Sequence, residues 1–374
     1  MSEWKKVRLG EIANYVNEKI DIKAFDTSLY ISTDSMLKDK GGIGTPESIP
    51  ESGKVTKYQH NDILVSNIRP YFKKIWFSNR EGGCSNDVLV FRANDNIDST
   101  FLYYVLSDDS FFDHIMSSAN GTKMPRGNRK LIPSFEINLP PLSTQHRIAT
   151  ILSRYDSLIE NYQKQIKLLE EAAQRLYKEW FVDLRFPGHE NTKIVDGVPE
   201  GWEKMKVGEL IAKVPRSKQI PTKDYQKKGV IPIIDQSRDY IAGYTDDMES
   251  KVESNEPYIV FGDHTRVLKF VPFPFAKGAD GTQLIMSNNL DLMPQCLLFT
   301  SLVSVDLSNY SYARHFKYLK EEEILVPTAS IANAFSKHVA KWYAKIQLNR
   351  EQLRILTEAR DRLLPKLMSG EIAV

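Results

Sequence analysis

Residues 148–180 read IATILSRYDSLIENYQKQIKLLEEAAQRLYKEW, and their apolar side chains recur in alternating steps of four and three residues. The pattern runs without a break from Ile148 to Trp180, which predicts a helix that packs lengthwise against another helix. At 1.5 Å per residue, a helix of roughly 35 residues is a rod about 50 Å long. The seam positions are Ile148, Leu152, Tyr155, Ile159, Tyr162, Ile166, Leu169, Ala173, Leu176 and Trp180.

A second seam follows at an offset of 187 in residue number, and eight of its ten positions are apolar, so a second long helix is predicted. Its exceptions, Asn349 and Arg360, stand where the first seam has Tyr162 and Ala173, and a polar seam residue can fix the register of a helix pair. We expect the helices to pair antiparallel within the chain, and the alternative that each pairs with another protein stays open. The second seam is Phe335, Val339, Trp342, Ile346, Asn349, Leu353, Leu356, Arg360, Leu363 and Leu367.

The two seams belong to two copies of one sequence pattern. WKKVRLGEI at 4–12 matches WEKMKVGEL at 202–210 with an offset of 198, and LEEAAQRLYKEW at 169–180 matches LTEARDRLLPKL at 356–367 with an offset of 187. The second copy is therefore shorter in its globular part by the difference between the two offsets (198 − 187), while its ends are kept. Two similar halves with different inserts are expected.

The fold class predicted is α+β, with two pseudo-symmetric α/β domains separated by two long helices that form an antiparallel coiled coil. The long helices should begin near Leu142–Ser143 and Pro327–Thr328, and Pro365 should end or kink the second one. Residues 101–116 predict one amphipathic helix. Strands are predicted at Asp62–Ser66, Val88–Phe91, Tyr258–Phe261 and Leu297–Phe299. The domains are 1–142, a central helix 143–182, a linker 183–200, a second domain 201–327, and a terminal helix and tail 328–374.

The composition is that of an ordinary folded protein, with 41% hydrophobic and 26% charged residues. No apolar run is long enough for a membrane span, the start lacks a secretory signal, and a cytoplasmic location is expected. Cys84 and Cys296 lie too far apart in sequence to suggest a disulfide framework or a metal site. The net charge of +2 hides four basic stretches without acids, two in each half. They are Arg69–Lys74, Lys123–Lys130, Lys213–Lys223 and Arg266–Lys277.

No catalytic motif is found. Gly53-Lys54-Val55 lacks the first glycine and the hydroxyl of a phosphate-binding loop. Residues 138–142, NLPPL, have an extra residue and no aromatic side chain compared with the motif that receives a flipped base in an amino-methyltransferase. His264 follows Asp263 in a turn, where hydrogen bonding or DNA contact is a better interpretation than general-base catalysis. We therefore expect a non-enzyme, with no cofactor and no metal of its own.

Several stretches together resemble the specificity subunit of type I restriction–modification enzymes, and the resemblance covers essentially the whole chain. The most specific are ARDRLLPKLMSGEI at 359–372 and PPLSTQHRI at 140–148. The first half adds DILVSNIRPYFKK at 62–74 and GGCSNDVLVFR at 82–92, and the second adds FGDHTR at 261–266 and FPFAKGADGT at 273–282. Any single stretch would be a moderate signal, and the set is a strong one.

The resemblance implies two target-recognition domains, each contacting one half of an asymmetric, bipartite DNA site from the major groove. The long helices would set the unspecified gap between the half-sites. They would also dock two methyltransferase subunits, which carry S-adenosylmethionine, and restriction subunits would add the ATP-dependent nuclease. Two rival hypotheses remain: a fused methyltransferase or nuclease fragment, and a coiled-coil adaptor for which DNA is irrelevant.

Candidate DNA-binding residues are cations that suit phosphates and polar side chains that suit base edges. For each one, a surface ion pair or a turn cap is an equally good interpretation. Arg69 and Arg266 each follow a predicted strand by a few residues, and GCSN at 83–86 parallels GADG at 278–281. The first-half candidates are Arg69, Lys73, Lys74, Ser85, Asn86, Lys123, Arg126, Asn128 and Arg129. The second-half candidates are Arg216, Lys218, His264, Arg266, Lys269, Gln283 and Arg314.

Overall fold

A computed structural model describes residues 4–121, 123–310 and 314–374. The chain forms two compact units. The first unit is Met1–Glu160 together with Leu353–Val374, and the second unit is Asn161–Gln352. Both boundaries fall inside long helices, so each unit contains a segment of each long helix.

Most elements are short strands or short helices, and the two long helices are the exceptions. The strands are β1 (Lys5–Arg8), β2 (Ala13–Tyr15), β3 (Lys19–Asp21), β4 (Lys54–Tyr58), β5 (Ile63–Ser66), β6 (Ile75–Phe77), β7 (Gly82–Cys84), β8 (Val88–Ala93), β9 (Glu136–Leu139), β10 (Ile194–Val195), β11 (Val198–Pro199), β12 (Glu203–Lys206), β13 (Ile231–Ile234), β14 (Gly243–Thr245), β15 (Lys251–Val252), β16 (Tyr258–Gly262), β17 (Leu268–Val271), β18 (Phe275–Lys277), β19 (Thr282–Ile285) and β20 (Glu323–Val326). The helices are α1 (Leu9–Ile12), α2 (Ser99–Ser107), α3 (Asp109–Ser117), α4 (Leu142–Tyr177, continued by a π-helical turn at Lys178–Val182), α5 (Val207–Leu210), α6 (Gln295–Ser304), α7 (His315–Glu321) and α8 (Ala329–Ser369).

The first unit is built on an antiparallel sheet with strand order β2-β8-β5-β6, beside a second sheet with order β3-β4-β7. All four residues of β5 are buried, because both faces of this central strand are covered. One core joins this sheet to α2, α3, the start of α4 and the end of α8. The strand pair β1–β9 leads directly into the long helix α4.

The second unit repeats this plan. Its sheet β17-β16-β19 is antiparallel, and a core joins that sheet to α6, α7, the end of α4 and the start of α8. The other sheet of each unit differs. In the second unit its strand order is β14-β13-β18-β15, with β13 and β18 parallel, whereas the first unit has the three-stranded sheet β3-β4-β7. The inserts of the two copies therefore differ, while the frame is shared.

The strand registers confirm the internal repeat that the sequence predicts. Lys5 pairs with Leu139 in β1–β9, and Glu203 pairs with Val326 in β12–β20, so the offsets of 198 and 187 hold residue by residue. The long helices begin at Leu142 and Ala329, which differ by the same offset of 187. The α+β class is confirmed as well.

Segments of α4 and α8 pack antiparallel within each unit. In the first unit Asp156 bonds Arg360, 2.7 Å apart, while Ile148 and Leu152, near the start of α4, share a core with Leu367, near the end of α8. In the second unit Gln165 bonds Asn349, and further along α4 the ring of Trp180 lies 5.8 Å from that of Phe335. All twenty seam positions are buried or half-buried. The pairing is therefore intramolecular in each unit.

Two sequence predictions of local structure are wrong. Leu297–Phe299 lies in helix α6 and not in a strand, because this ten-residue segment is apolar on all sides and almost wholly buried, where periodicity cannot distinguish the two. The helix predicted at 101–116 is two helices, since Asp108 ends α2 and its side chain caps α3 by accepting a hydrogen bond from Ser110 N at 2.9 Å.

The end of α8 and the linker also differ from expectation. Pro365 does not end α8, which continues to Ser369, because Leu364 and Leu367 on either side of the proline are buried in the first-unit core. The segment 183–200 contains the β10–β11 hairpin, and the Phe186 ring packs 4.6 Å from that of Trp202. The division into domains stays a prediction.

No helix in the described part of the chain combines the length and the apolar character that crossing a bilayer requires. Cys84 and Cys296 are buried free thiols, one in each unit. Burial raises the pKa of the Cys84 thiol to about 12, so this cysteine is a poor nucleophile at neutral pH.

Candidate nucleic-acid interface

Three loops of the first unit meet at one surface, which we call the first basic surface: residues 67–74, residues 85–87, and the described residues of the 119–130 loop (119–121 and 123–130). Backbone hydrogen bonds fasten them together. Asn67 N donates to Asp87 O at 2.8 Å, Gly127 N to Asn67 O at 3.3 Å, and Arg69 N to Pro125 O at 2.8 Å. The structure thus brings together all first-half candidate residues, although they come from three separate parts of the sequence.

Gly127 is required where two of these loops cross. A Cβ atom at this position would lie 2.4 Å from the side chain of Ile115 and 2.8 Å from Asn67 Oδ1. Asn67 Oδ1 is itself buried without a hydrogen-bond partner among the described residues, and so is Arg69 Nε. Buried polar atoms without partners are costly, and in a loop surface they mark groups that a ligand can satisfy.

Arg69 and Arg266 occupy similar strained positions, each a few residues after a central strand of its unit. Each follows a central strand, β5 or β16, and each has a left-handed backbone conformation, with φ of 49° and 61°. Such values cost non-glycine residues free energy and cluster at functional sites. Arg266 Nη1 donates to Leu307 O at 3.0 Å, while Arg69 is half-buried beside the 119–130 loop.

Positive charges are crowded on the first basic surface. Burial lowers the pKa of Lys74, and the neighbouring charges of Lys38 and Arg69 lower it further, against the opposing effect of Asp34. Lys74 Nζ donates to a backbone carbonyl at 2.6 Å, and Lys38 Nζ lies 4.2 Å from the centre of the Phe72 ring. A bound anion would relieve this repulsion.

Some candidates on this surface already have protein partners. Lys73 pairs with Asp109 at 2.7 Å, and Arg126 pairs with Asp87 at 3.1 Å. Arg129 stacks over the ring of Tyr15 with its Cζ 5.5 Å from the centroid. Because burial outweighs the nearby guanidinium, the pKa of Tyr15 is raised to about 12 and its hydroxyl stays neutral.

The remaining first-half candidates are polar or exposed side chains. Asn86 accepts a hydrogen bond from Lys19 at 2.5 Å, and the Ser85 hydroxyl accepts one from a backbone N–H at 3.3 Å. Asn128 caps the turn at Lys130 N with a 3.0 Å bond, and the side chain of Lys123 is exposed. These contacts leave the surface open to solvent.

In the second unit, the β16–β17 hairpin is fixed to neighbouring loops by two side chains. Asp263 is buried and accepts a hydrogen bond from Phe316 N at 2.8 Å, so it holds the start of α7 and not the adjacent His264. Gln236 accepts from His264 N at 3.1 Å and donates to Asp280 O at 2.8 Å. The hairpin and the 278–281 loop therefore meet, as the equivalent loops do in the first unit.

The second-half candidates divide into three sets. His264, Arg266 and Arg314 are exposed, on the hairpin and just before α7. Arg216 and Gln283 line a separate cleft. The other two, Lys269 and Lys218, are engaged by groups of the protein itself.

Lys269 and Lys218 are poorly placed for DNA contact. Lys269 is 4% exposed, its ammonium donates to the Asp239 carbonyl, and burial lowers its pKa to about 8. Lys269 is therefore not available for the phosphate contact that the sequence predicts, because its side chain points from β17 into the unit. Lys218 is exposed but held by two carboxylates, Asp247 at 2.8 Å and Glu249 at 3.2 Å.

Sequence reasoning missed two cations, Lys38 and Lys320. Both are flanked by acidic residues, Asp39 in one case and Glu321 in the other, so neither falls in an acid-free basic stretch. A search that ignored neighbouring acids would have found them, at the cost of selecting most other lysines.

The comparisons with known proteins agree on one family. The family model described as "Type I restriction modification DNA specificity domain" matches residues 1–171. The type I restriction enzyme MjaIX specificity subunit of Methanocaldococcus jannaschii is 29% identical over 75% of this chain and 70% of its own length. The HindI specificity subunit of Haemophilus influenzae is 23% identical, and the match spans both chains completely. By these matches, the chain is similar to type I restriction specificity subunits.

A solved structure supports the fold. The crystal structure of the type I restriction–modification S subunit from M. genitalium superposes with a TM-score of 0.61 at 16% identity, over 98% of this chain and 96% of that one. The relatives in the sequence comparison are named specificity subunits, which are non-catalytic DNA-recognition subunits. Specificity subunits of type I systems work with DNA and with other restriction–modification subunits.

Proposed function

We propose that this chain is a specificity subunit that reads a bipartite, asymmetric DNA target, with one half-site contacted by each unit and the long helices setting the gap. The observation that carries the proposal is that two copies of one scaffold each carry an arginine with a left-handed backbone, Arg69 or Arg266, just after a central strand. Two readers on a rigid connection fix half-site spacing to the helical repeat of DNA. Different inserts in the two copies account for different half-sites.

Within each unit, cations would hold phosphates and polar side chains would read base edges. Lys123, Arg126 and Arg129 are exposed on the first basic surface and suit phosphate contacts. Arg69 and Arg266 are better suited to base edges, because a strained backbone aims each side chain and arginine recognises guanine through two bonds.

The helices would dock the partner subunits: two methyltransferase subunits that carry S-adenosylmethionine, and restriction subunits that use ATP. Apolar side chains are exposed on the long helices of both units, Leu158 and Ile355 in the first and Leu168 and Leu348 in the second. Leu168 and Ile355 differ by the repeat offset of 187, so they are equivalent positions, and they are 53% and 44% exposed. Two equivalent docking places favour two copies of one partner. The chain itself would bind no cofactor and would act in the cytoplasm, where the DNA is.

The test is to map methylated adenines in DNA from cells that express this chain with its cognate methyltransferase subunits. We expect a split motif with two constant half-sites and a fixed gap. Arg69→Gln should relax or abolish one half-site only, and Arg266→Gln the other. Each loss should be about 1–3 kcal/mol at one base pair.

Arg175→Gln is the matched control, because this side chain is exposed on α4 and its one ion pair within the described residues is with Glu171 at 3.7 Å. It should leave the motif unchanged. A continuous motif, or loss of both half-sites from either loop variant, would contradict the proposal. Unchanged DNA affinity in both loop variants would favour the adaptor hypothesis, and methylation by the purified chain alone would favour the enzyme.

A further inference from the structure

The second unit contains an open cleft of about 750 Å³ that has no counterpart among the functional loops described above. Four cationic side chains line it: Lys213, Arg216, Lys277 and Lys320. None of the described residues that line it is acidic. A cleft of one charge sign concentrates the field and favours an anionic ligand.

The cleft exists because the second copy departs from the first at one strand. In the first unit, β2 pairs with β8 through three residues, and the Tyr15 ring packs 4.9 Å from Phe91. In the second unit, among the described residues, an isolated bridge joins Ile211 to Ser287, and the next one joins Gln219 to Lys277. Residues 212–218 between these bridges belong to no strand, and several of them line the cleft.

Three cations of the cleft lack a close ion pair among the described residues, unlike the neighbouring Lys218. Lys218 on the same segment is bound by two acidic side chains, whereas Lys213, Arg216 and Lys277 have no ion pair among the described residues. Lys277 is half-buried, and burial lowers its pKa against the opposing effect of Asp280. An unpaired, partly desolvated cation gains most from a charged partner.

The lining also offers neutral groups that suit a nucleotide. Ser217 Oγ is buried and has no hydrogen-bond partner in the described structure. Gln219 and Gln283 bring amide groups to the wall, and the ring of Phe316 lies beside them. Lys320 Nζ sits 5.3 Å from the centre of that ring. Cations, an unpaired hydroxyl, amides and one aromatic face are the groups that phosphates and base edges use.

We propose that this cleft binds phosphates of the DNA backbone next to the second half-site, with Gln283 placed to read a base edge. The inference rests on the proposed function, because it assigns this part of the second unit to the same DNA. Free nucleotides carry the same phosphate chemistry, so the experiment separates the two sources. DNA is favoured because the cations come from three elements spread along the cleft, which suits a chain of phosphates better than a single one.

The experiment measures binding of the full chain, assembled with its methyltransferase subunits, to a fluorescent duplex that contains the mapped target, across a series of salt concentrations. Arg216→Met and Lys277→Met should each weaken binding about tenfold near 0.1 M salt. Each should also reduce the slope of log affinity against log salt by about one, and the double variant by about two. Gln283→Leu should weaken discrimination at one base pair of the second half-site and leave the slope unchanged.

Lys218→Met is the matched control, since this lysine lies two residues from Arg216 but outside the lining. Its affinity and slope should equal those of the wild type. A second arm titrates AMP and inorganic pyrophosphate into wild type and Arg216→Met. Nucleotide binding that the substitution abolishes, with DNA affinity and salt slope intact, would assign the cleft to a free nucleotide and overturn the DNA assignment.

Two further outcomes separate this inference from the proposed function. Tight, target-specific DNA binding by wild type with no effect of Arg216→Met or Lys277→Met overturns the cleft and leaves the bipartite reader intact. Absence of target-specific binding by the wild-type assembly overturns both. Thermal melting of each variant shows whether a loss of affinity comes from unfolding.

Discussion

The two units make the same contact between a globular helix and a long helix, but with different chemistry. In the first unit the Tyr104 hydroxyl on α2 donates to Asp156 on α4 at 2.5 Å. In the second unit Thr300 on α6 and Tyr343 on α8 join their hydroxyls at 3.0 Å. Asp156 and Tyr343 differ by the offset of 187, so they are equivalent positions of the repeat.

The difference extends to the seam residue that contacts Asp156 in the first unit. Arg360 bonds Asp156 at 2.7 Å in the first unit, and its equivalent in the second unit is Ala173, which is fully buried. Burial alone would lower the pKa of Arg360, but its hydrogen bonds to Asp156 and Asp361 outweigh burial and raise the pKa. One backbone frame therefore carries an ionic junction in one copy and a neutral, tightly packed junction in the other.

A second difference lies in the central sheet. Leu64 opposes Trp76 in the first unit, and Val260 opposes Lys269 at the equivalent position of the second. An aromatic side chain is thus replaced by a buried lysine. The repeat preserves backbone contacts and lets the side chains diverge, so the two copies should respond differently to substitution, pH and salt.

The largest expected effect is the loss of the ionic junction. Asp156→Ala should destabilise the first unit by about 2–3 kcal/mol, because it leaves a half-buried guanidinium and a buried hydroxyl without their shared partner. The value lies below that for a fully buried pair, since water reaches part of Arg360. Hydrogen exchange of α2 amides would measure it, because α2 contacts this junction directly.

Tyr343→Phe is the matched variant in the second unit. It removes one neutral hydrogen bond and should cost only about 1 kcal/mol, seen at α6 amides. Equal losses from the two variants would show that the ionic character of the first junction has no energetic consequence.

The next effect concerns Lys269 and pH. The pKa of Lys269 is about 8 in the folded chain, against an ordinary value of 10.5. Between these values the unfolded chain binds more protons, so stability of the wild type should rise with pH through this interval. Below pH 8 both states are protonated, and the buried charge then costs its full penalty.

Lys269→Met should remove this pH dependence and stabilise the second unit by about 1 kcal/mol at pH 7. The gain is smaller than the roughly 3 kcal/mol that the shift implies, because the substitution removes a hydrogen bond to Asp239 and the ion pair with the largely buried Asp235 at 3.8 Å. Urea unfolding of both proteins at pH 7 and pH 10 would measure it. A variant that keeps the wild-type slope would show that Lys269 is not the group that titrates.

The sequence predicts most of the frame, because the repeat is exact at the positions that build it. The offset of 187 gives the starts of α4 and α8, and it matches Ile137 in β9 with Ile324 in β20. Seam spacing predicts which faces are buried, since a helix of regular period can hide only one stripe. These features depend on local pattern alone.

What the sequence does not predict depends on tertiary contacts. The burial of Lys269 follows from the pairing of β17 with β16, and nothing in its neighbours distinguishes it from an exposed lysine. The meeting of Arg69 with Pro125 needs the 119–130 loop to fold back onto β5. The cleft at Arg216 lies where the three-residue pairing of β2 with β8 in the first unit is reduced to one bridge among the described residues of the second unit. No residue pattern predicts this loss of pairing.

The smallest expected effect is the sharpest test of the comparison. The triple variant Tyr104→Thr, Asp156→Tyr and Arg360→Ala gives the first junction the side chains of the second. It should change the stability of the first unit by less than about 1 kcal/mol. Breaking a buried ion pair is costly, but replacing the whole pair by packed, mostly apolar groups is often neutral. Stability in urea should then no longer fall when salt is added. If the triple variant is as unstable as Asp156→Ala alone, the side chains around the two junctions differ too much for the junctions to be exchanged. The two positions would then be equivalent in backbone but not in side-chain packing.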